Sequence, residues 1–373
     1  MINTMTAPTT VLVGHPFAPI GRGEDVRCTY RALRSVAVRP GLLDIFAACQ
    51  PHPDDAREFS PALVDGPGRI NVMHLNGDEI GNATTRLGGL PQDAFNIVYP
   101  AWELARYPLE WARALDRFDE IWAPSTFIRD ALKGVVERPV LDMPLASEVM
   151  LTSLLNRRVF NIPESAYAFL FFFDFRSYRT RKNPDAVVAA FRRLREARPY
   201  ADTCLVIKVS GAHHATDDLR ALKDAVADLG KRALIIDRKM SDNEVKNLVR
   251  CCDCFVSLHR AEGFGRGLAE AMYLSKPVIA TAYSGNMDFM DRGSAMLVDY
   301  ELVPVGAGEY PYPEGQVWAN ADVEQAAAHM AALVDDPEAG RRLGHRASLK
   351  VRDLIGYRAA GLRYRKRLTE IAR

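Results

Sequence analysis

The sequence predicts an α/β protein built from two doubly wound parallel sheets. Short strand-like runs alternate with helix-like runs along almost the whole chain. The strand-like runs are apolar without strict alternation, which is typical of strands that are buried on both faces of a parallel sheet. The chain has 373 residues, which is too many for one ordinary domain. Together these observations favour repeated β–α units arranged in two separate sheets.

The predicted strands are spread over both halves of the chain. Helix-like patterns lie between them, for example over residues 184–194 and 242–249. The rhythm breaks between about residues 143 and 163, a stretch that contains Pro144 and Pro163 and no clear strand. We therefore predict domains over residues 1–150 and 151–355 and a C-terminal helix over residues 356–373. The predicted strands are residues 10–14, 69–74, 96–99, 120–123, 169–174, 204–208, 233–236, 254–258 and 277–280.

The composition is that of a soluble globular protein. Apolar residues make up 48% of the chain, charged residues make up 25%, and the formal net charge is +1, so nucleic acid is not expected as a partner. No apolar run approaches the roughly 20 residues of a membrane span, and residues 1–10 lack the pattern of a signal peptide. A cytoplasmic location is expected, with peripheral contact at the inner face of a membrane left open. The C-terminal basic run is interpreted as a solvated face, with an anionic surface as the alternative; it consists of Arg363, Arg365, Lys366 and Arg367.

Two carboxylates bracket a glycine-rich turn in the second half of the chain. The stretch from Glu262 to Glu270 reads Glu-Gly-Phe-Gly-Arg-Gly-Leu-Ala-Glu, follows the apolar run 254–258 and leads into a helix-like pattern. The backbone N–H groups of such a turn, and the positive end of the helix dipole, favour an anion. Carboxylates repel phosphate but accept hydrogen bonds from hydroxyls. A site suited to both phosphate and a polyol indicates a nucleotide sugar.

A second loop is rich in basic residues. It follows the predicted strand 169–174, opens a helix at residue 184, and contains Arg176, Arg179, Arg181 and Lys182. Arg176 and Lys182 lie six residues apart, so both side chains can reach one point above the strand end. Two fixed cations at that point could neutralise a diphosphate without a metal ion. The sequence leaves open which of the three arginines points inward beside Lys182.

These two motifs resemble the donor site of retaining GT-B glycosyltransferases. The E-x7-E pattern from Glu262 to Glu270, followed by residues 276–280 and 284–286, is most similar to glycosyltransferase family 4, the glycosyl transferases group 1. The resemblance is specific over about residues 168–300 and loose over the N-terminal half. It implies two Rossmann-like domains that face each other across a cleft, with an acceptor-binding N-terminal domain and a donor-binding C-terminal domain. It also implies a final helix that returns to the N-terminal domain.

The resemblance further implies roles for individual residues. Arg176 and Lys182 would bind the donor diphosphate. Glu270 would accept hydrogen bonds from the ribose hydroxyls, and Glu262 would face the transferred sugar. The backbone N–H groups that would bind the sugar and the phosphates belong to Phe264, Gly265, Arg266, Gly267 and Leu268.

The nucleotide base is expected near the ends of two neighbouring strands. Lys208 ends the predicted strand 204–208, and Asp237 and Arg238 follow the predicted strand 233–236. Ligands of doubly wound sheets bind at the carboxyl ends of the strands, so these three residues are candidates for donor binding. Ordinary surface charge is the alternative.

The N-terminal half carries weaker signals. Gly21 and Gly23 follow the first strand and precede a helix expected to begin near Glu24. The resembled enzymes have a glycine loop here that approaches the donor phosphates, and a tight turn is the alternative. His74 ends the strand 69–74 and resembles the histidine that approaches the transferred sugar, although a purely structural histidine fits equally well. The candidates for binding acceptor hydroxyls are Asn76, Asp78 and Glu79.

The implied reaction is transfer of a hexosyl group, of the mannose, glucose or rhamnose class, to a hydroxyl of a glycan or lipid-linked saccharide. The donor would be a nucleotide-diphosphate sugar. The resemblance implies retention of anomeric configuration and a role in bacterial surface polysaccharide or glycoconjugate synthesis. No DxD motif stands at a strand end, and the six cysteines show no zinc-site spacing, so neither a metal nor another cofactor is expected.

Other functions fit the sequence less well. A glycogen-synthase-like enzyme or a phosphorylase would share the architecture, but the chain is short for either. A non-catalytic nucleotide-sugar-binding protein could dispense with Lys182, which this chain has. An NAD-dependent enzyme would carry GxGxxG after its first strand, where this chain has Gly-His-Pro-Phe-Ala-Pro-Ile-Gly.

Overall fold

The computed structural model describes residues 9–47 and 49–373. Residues 1–8, most of the segment inspected for a signal peptide, lie outside the described residues. The chain divides into two compact units, one formed by Met1–Glu148 with Arg352–Arg373 and the other by Val149–Val351. The division therefore falls inside the stretch where the sequence loses its strand–helix rhythm. The functional roles of the two units stay predictions.

The first unit is built on a six-stranded parallel sheet. Its strands are β1 (Thr10–Gly14), β2 (Gly41–Asp44), β3 (Ile70–Met73), β4 (Phe95–Val98), β5 (Glu120–Ala123) and β6 (Val140–Asp142). Their order is β2-β1-β3-β4-β5-β6, so the direction of strand addition switches between β1 and β3. Ligands of doubly wound sheets bind at such a switch point. The connecting helices are α1 (Gly21–Ser35), α2 (Pro53–Phe59), α3 (Ile80–Arg86), α4 (Leu109–Leu115) and α5 (Thr126–Leu132).

The second unit is built on another six-stranded parallel sheet. Its strands are β7 (Tyr167–Asp174), β8 (Thr203–Ser210), β9 (Ala233–Ile236), β10 (Cys254–Ser257), β11 (Val278–Thr281) and β12 (Met296–Val298). Their order is β12-β11-β10-β7-β8-β9, which puts the switch point between β10 and β7. The predicted α/β class with two parallel sheets is confirmed. The helices are α6 (Arg179–Lys182), α7 (Pro184–Ala197), α8 (Thr216–Ala225), α9 (Asp242–Cys251), α10 (Arg266–Tyr273), α11 (Val323–Asp335) and α12 (Pro337–Ile355), whose last four residues belong to the first unit.

An antiparallel hairpin in the second unit has no counterpart in the sequence prediction. It consists of β13 (Tyr300–Pro304) and β14 (Val317–Ala321), joined by residues 305–316. Strands β2, β6 and β12 were also missed. They lie at the edges of the two sheets, and each has only three or four residues. Short edge strands carry too few apolar residues to stand out from the loops around them.

The last helix, α13 (Tyr357–Ile371), belongs to the first unit and packs against α1. Its basic run is not a uniform solvated face, because Arg367 Nε donates to Glu120 Oε2 over 3.0 Å. Glu120 is only 1% exposed, and the indole N–H of Trp122 donates to its other oxygen over 2.6 Å. The Trp122 ring in turn stacks on Tyr364 of the helix with centroids 5.5 Å apart. The helix is thus fixed to strand β5 by an ion pair and an aromatic contact.

Exchange of Gly361 for alanine is expected to destabilise the first unit by about 1–3 kcal/mol, because an added Cβ would overpack the helix contact. That Cβ would lie 2.1 Å from the backbone oxygen of Ala32 in α1. The matched control is Gly81→Ala in α3, where an added Cβ meets no described atom within 4 Å. That exchange is expected to stabilise by up to about 1 kcal/mol, as alanine does in a helix. Urea unfolding of both variants tests the opposite signs, and a stabilising Gly361→Ala would contradict the close packing of α13 on α1.

Candidate functional site

The two motifs of the second half meet at the switch point of the second sheet. The basic loop follows β7 and carries helix α6, and the E-x7-E loop follows β10 and leads into α10. Because β7 and β10 are neighbouring parallel strands, both loops leave the same edge of the sheet. The backbone N–H of Arg260 donates to the Arg181 oxygen over 2.8 Å and joins the two loops directly.

A buried carboxylate with two cations lies where these loops meet. Lys182 Nζ donates to Glu262 Oε1. Arg181 Nη1 lies 3.5 Å from the same carboxylate oxygen and donates to the Ala261 carbonyl over 2.9 Å. Arg181 is only 3% exposed, whereas the side chains of Lys182 and Glu262 keep 18% and 13% of their surface accessible. The lysine and the glutamate can therefore be reached by a ligand. The buried arginine contacts the same carboxylate from the protein interior.

The charges around Glu262 keep it ionised. Burial alone would raise its pKa, but the positive charges of Lys182 and Arg181 outweigh burial and lower the pKa to about 2. His259 also faces this carboxylate, and burial lowers the pKa of its imidazole, so the ring is expected to be neutral. A carboxylate held ionised in this way is unsuited to proton transfer near neutral pH. It is suited to accepting hydrogen bonds from sugar hydroxyls.

The exchange Glu262→Gln is expected to make stability less sensitive to acid. A depressed pKa contributes stability that is complete above the ordinary value of 4.5 and is lost as the pH falls towards about 2. The glutamine variant lacks this contribution at every pH, so its free energy of unfolding should fall less between pH 5 and pH 3. The control Glu301→Gln removes an exposed carboxylate of β13 and should keep the wild-type slope. Equal slopes for all three proteins in urea titrations at each pH would contradict the ion pair.

A neighbouring turn fixes the backbone of Glu262. Ser284 Oγ accepts the Glu262 N–H over 2.8 Å, and the Gly285 N–H donates to the Glu262 oxygen over 2.8 Å. Asn286 extends this support, because its Oδ1 lies 3.1 Å from His259 Nε2. These residues form the Ser-Gly-Asn segment, residues 284–286, that belongs to the resemblance together with the E-x7-E pattern. Their observed contacts hold the carboxylate-bearing segment in place.

The glycine-rich turn ends at the start of α10. Gly265 precedes the helix with φ +91°, a left-handed conformation that favours glycine. The N-cap residue Gly265 has no side chain to cap the helix, and the N-terminus of α10 carries the positive end of the helix dipole. Gly267 has a different role, because an added Cβ would lie 2.7 Å from the Phe172 ring. It allows close packing of α10 on the sheet.

The remaining residues of the E-x7-E stretch line the start of α10. Glu270 lies within the helix and is 8% exposed. The Phe264 ring packs against Phe289 with centroids 5.3 Å apart, and the Arg266 guanidinium lies 5.7 Å from the Phe264 centroid. Leu268 is buried. The phosphate, sugar and ribose roles of these residues stay predictions.

The structure separates the three arginines of the basic loop. Arg176 forms a bidentate pair with Asp174, with Nε and Nη2 donating over 3.0 and 2.6 Å. Arg179 pairs with Asp185 over 2.6 Å. Arg181 is the arginine that accompanies Lys182 at Glu262, which the sequence could not decide. The Arg176 side chain is 48% exposed at the end of β7, and its binding of the diphosphate stays a prediction.

The candidates for the base region lie along the same sheet edge. Lys208 is nearly buried in β8, and its Nζ donates to Ser210 Oγ over 3.0 Å. Burial lowers the pKa of its ammonium, while the carboxylates of Asp237 and Asp174 oppose that shift. Arg238 is exposed and pairs with Glu244 over 2.6 Å. Lys208 and Asp237 are thus close enough to interact, whereas Arg238 is paired with the first turn of α9.

The two candidate glycines of the first unit, Gly21 and Gly23, lie in helix α1 and not in a loop. Helix α1 begins at Gly21, so the expected start near Glu24 was wrong by one turn. The Glu24 N–H already donates to the Ile20 oxygen over 3.1 Å, which closes the first helical turn. A Cβ on Gly23 would lie 2.2 Å from the Ala18 oxygen, whereas Gly21 has open space around it. Of these two glycines, Gly21 is the one whose backbone a ligand could approach.

His74 lies at the switch point of the first sheet. It is fully buried, and its backbone N–H donates to the backbone oxygen of Val13 over 2.9 Å. The centroid of its ring lies 5.0 Å from that of Tyr99. The neighbouring Glu79 pairs with His15 over 2.8 Å. His15 was not among the candidates predicted from the sequence, although its place directly after β1 could have indicated it. The role of His74 towards the transferred sugar stays a prediction.

The acceptor candidates after His74 are partly committed to the fold. Asn76 Oδ1 accepts the Ala101 N–H over 3.2 Å, and the Asn76 N–H donates to Glu79 over 2.8 Å. Burial and the nearby Glu79 charge raise the pKa of the Asp78 carboxyl. Among Asn76, Asp78 and Glu79, Asp78 is thus the residue whose carboxyl group has a raised pKa.

The described residues contain neither a metal-binding cluster nor a membrane-spanning helix. Within residues 9–47 and 49–373, no group of three or more His, Cys, Asp and Glu side chains is arranged to bind a metal ion. Over the same residues, no helix combines the length and the apolar character needed to cross a membrane. The metal requirement stays a prediction.

The second half of the chain matches a known protein family. A family model described as glycosyl transferases group 1 matches residues 156–350, which include both loops at the switch point. No curated protein sequence matches the chain significantly.

Solved structures match nearly the whole chain at low identity. Anabaena HepE in complex with UDP and glucose is 12% identical, with 97% of this chain and 99% of that chain covered and a TM-score of 0.69. Sucrose-phosphate synthase from Thermosynechococcus elongatus is 14% identical, with 98% and 99% covered and a TM-score of 0.69. An E. coli structure described as trehalose-6-phosphate bound with UDP-2-fluoro glucose is 12% identical, with 96% and 98% covered and a TM-score of 0.66. At these identities the likeness shows the fold alone, and it confirms the GT-B class.

Proposed function

The chain belongs to the glycosyl transferases group 1, which transfer a sugar from a nucleotide sugar, and on that premise we propose that it is a retaining, metal-independent hexosyltransferase of family 4. The observation that carries the proposal is the ion pair of Lys182 and Glu262 beside the N-terminus of α10. A cation, a carboxylate that can accept hydrogen bonds from hydroxyls and a helix N-terminus thus lie at one switch point. A nucleotide-diphosphate sugar presents the complementary groups.

The second unit would bind the donor. Lys182, Arg176 and the N–H groups at the start of α10 would neutralise the diphosphate. Glu262 would accept hydrogen bonds from the transferred hexose, and Glu270 from the ribose. Lys208 lies near the end of β8, Asp237 and Arg238 follow the neighbouring β9, and these three residues would contact the base.

The first unit would bind the acceptor. Its switch point carries His74, Asp78 and the open backbone at Gly21. A hydroxyl of a glycan or a lipid-linked saccharide is the expected acceptor, in bacterial surface polysaccharide or glycoconjugate synthesis. We propose a cytoplasmic location with peripheral contact at the inner face of the membrane.

The reaction would proceed on one face of the donor sugar. The bond between C1 and the phosphate oxygen breaks, and the diphosphate leaves with the electron pair. The acceptor oxygen bonds to C1 from the same face, and its proton passes to the departing phosphate oxygen. Lys182 and Arg176 stabilise the charge that develops on the diphosphate, so catalysis rests on electrostatic stabilisation and positioning.

Turnover of a nucleotide-sugar panel tests the proposal. Purified protein is incubated with UDP-, GDP- and dTDP-hexoses and with glycan or lipid-linked acceptors, and release of the nucleoside diphosphate is measured. UDP-glucose comes first, because structures of similar fold hold UDP and UDP-sugars. We expect one donor to be consumed, with a product whose anomeric configuration by NMR equals that of the donor. An inverted product would overturn retention, and no turnover of any donor would overturn the enzyme assignment.

Removal of divalent metal is expected to leave turnover within about twofold of the untreated enzyme. Two fixed cations, Arg176 and Lys182, follow β7 and would neutralise the diphosphate in place of a metal ion. The measurement is the initial rate after dialysis against EDTA, with and without added Mg²⁺ or Mn²⁺. A loss that either metal restores would contradict the metal-independent mechanism.

A further inference from the structure

The β13–β14 hairpin contacts both loops of the candidate site. Trp318 of β14 is 1% exposed, and the guanidinium of Arg260 lies 5.7 Å from its ring centroid. The Ala319 N–H donates to the Arg260 oxygen over 2.9 Å. Arg260 in turn donates its N–H to the Arg181 oxygen over 2.8 Å. The hairpin is thus joined by successive contacts to the segment that leads into Glu262 and to the α6 turn.

Tyr310, in the loop that joins the two strands, contacts both ends of the α6 turn. Its ring lies 4.7 Å from that of Tyr178, which directly precedes α6, and the two rings meet at 62°. The guanidinium of Arg181, near the end of α6, lies 5.8 Å from the Tyr310 centroid. Tyr310 is itself only 7% exposed and packs towards Trp318, with centroids 6.5 Å apart. One buried ring therefore contacts the residue that opens this short helix and the arginine that supports Glu262.

The turn that Tyr310 contacts is under backbone strain. Tyr178 has φ 63° and ψ 107°, a conformation that costs a tyrosine energy, and the residue remains 40% exposed. Its carbonyl accepts the Lys182 N–H over 3.2 Å. A helix of only four residues does not hold its own shape, so packing must keep this turn in place. The hairpin supplies that packing.

We propose that Tyr310 is a positioning residue through which the β13–β14 hairpin holds Arg181 and Lys182 against Glu262. This proposal rests on the proposed function, because it assigns Tyr310 to the donor site of that reaction. Tyr310 touches neither Lys182 nor Glu262 in the contacts described above and acts through Arg181 and Tyr178. Without the Tyr310 ring, the α6 turn has more conformational freedom. Lys182 can then reach the leaving diphosphate in a smaller fraction of the conformations of that turn.

The test compares the variants Tyr310→Leu, Tyr310→Phe and Tyr300→Leu with the wild type, using the nucleotide sugar that the wild type consumes. Tyr310→Leu is expected to lower kcat about tenfold, with the donor KM changed less, because positioning matters most in the transition state. Tyr310→Phe keeps the ring and is expected to stay within about twofold of the wild type. Tyr300→Leu makes the same exchange on the same hairpin, where the ring packs on Tyr283, and is also expected to stay within about twofold.

A double variant separates positioning from a general loss of folded enzyme. If Tyr310 acts through Arg181 and Tyr178, the loss of kcat in the variant Tyr310→Leu/Arg181→Met is smaller than the product of the two single losses. If Tyr310 only stabilises the fold, the two losses multiply, which overturns the proposal. Should Tyr310→Leu fail to fold, Tyr178→Ala removes the exposed partner of the ring contact. The kcat of Tyr178→Ala should fall, whereas the kcat of Tyr300→Leu should stay close to that of the wild type. Wild-type kcat in Tyr310→Leu overturns the positioning role alone, whereas an inactive wild type overturns the proposed function.

Discussion

Exchange of Lys182 for methionine lowers kcat about 10²–10³-fold, the cost of removing one preorganised group that stabilises developing charge. Lys182 is the accessible cation of the pair at Glu262, and it lies on a turn that packing holds in place. The leaving diphosphate gains negative charge in the transition state, so the loss should fall mainly on kcat. Initial rates with the donor that the wild type consumes provide the measurement.

The matched control is Lys223→Met on the exposed face of α8. It makes the same chemical change in the same unit, and it should leave kcat within about twofold, as surface exchanges usually do. The Lys182→Arg variant keeps the charge but not the shape, so a partial rescue is expected. Equal rates for Lys182→Met and Lys223→Met would show that Lys182 does not act on the donor.

Exchange of Arg367 for methionine destabilises the first unit by about 3 kcal/mol, the lower end of the range for removing one partner of a buried ion pair. The lower end is expected because the Arg367 side chain is 29% exposed while Glu120 is almost fully buried. Without the guanidinium, Glu120 keeps the Trp122 indole as its remaining described donor. The midpoint of urea unfolding, followed by tryptophan fluorescence, measures the effect because Trp122 lies at the site.

Two further variants check this ion pair. Lys366→Met lies next to Arg367 on an exposed position of α13 and should change stability by less than about 0.5 kcal/mol. The double variant Arg367→Met/Glu120→Gln removes the unpaired charge and should recover part of the loss. An Arg367→Met variant as stable as Lys366→Met would show that the ion pair does not fix α13.

Most strands of the two parallel sheets were predictable because each is an apolar run between turns. The segments around β1, β5 and β9 were predicted with the bounds that the structure has. The hairpin could not be found in this way. Its strands face partly outwards, and Tyr300, Glu301 and Leu302 are all exposed. Their pairing depends on a partner strand across a 12-residue connection, which no local pattern indicates.

The two loops of the site were predictable as motifs, but the geometry within them was not. Arg176, Arg179 and Arg181 are chemically alike, and only the rotation of the α6 turn decides which one meets Glu262. Arg176 and Arg179 each find an acid nearby in sequence, at Asp174 and Asp185. Arg181 instead contacts a loop that is 80 residues away, where Glu262 lies. Such a contact depends on the fold of the whole unit.

Calorimetric titration with UDP, GDP and dTDP tests the central claim, that Lys182 binds the diphosphate while Glu262 binds the sugar. We predict that the wild type binds at least one of the three and that Lys182→Met binds it at least about tenfold more weakly, as expected for loss of one charge-assisted hydrogen bond. Glu262→Gln should bind the same diphosphate as tightly as the wild type or more tightly, because it removes the carboxylate that competes for Lys182. Equal weakening in both variants, or binding in Lys182→Met equal to that of the wild type, would contradict the claim.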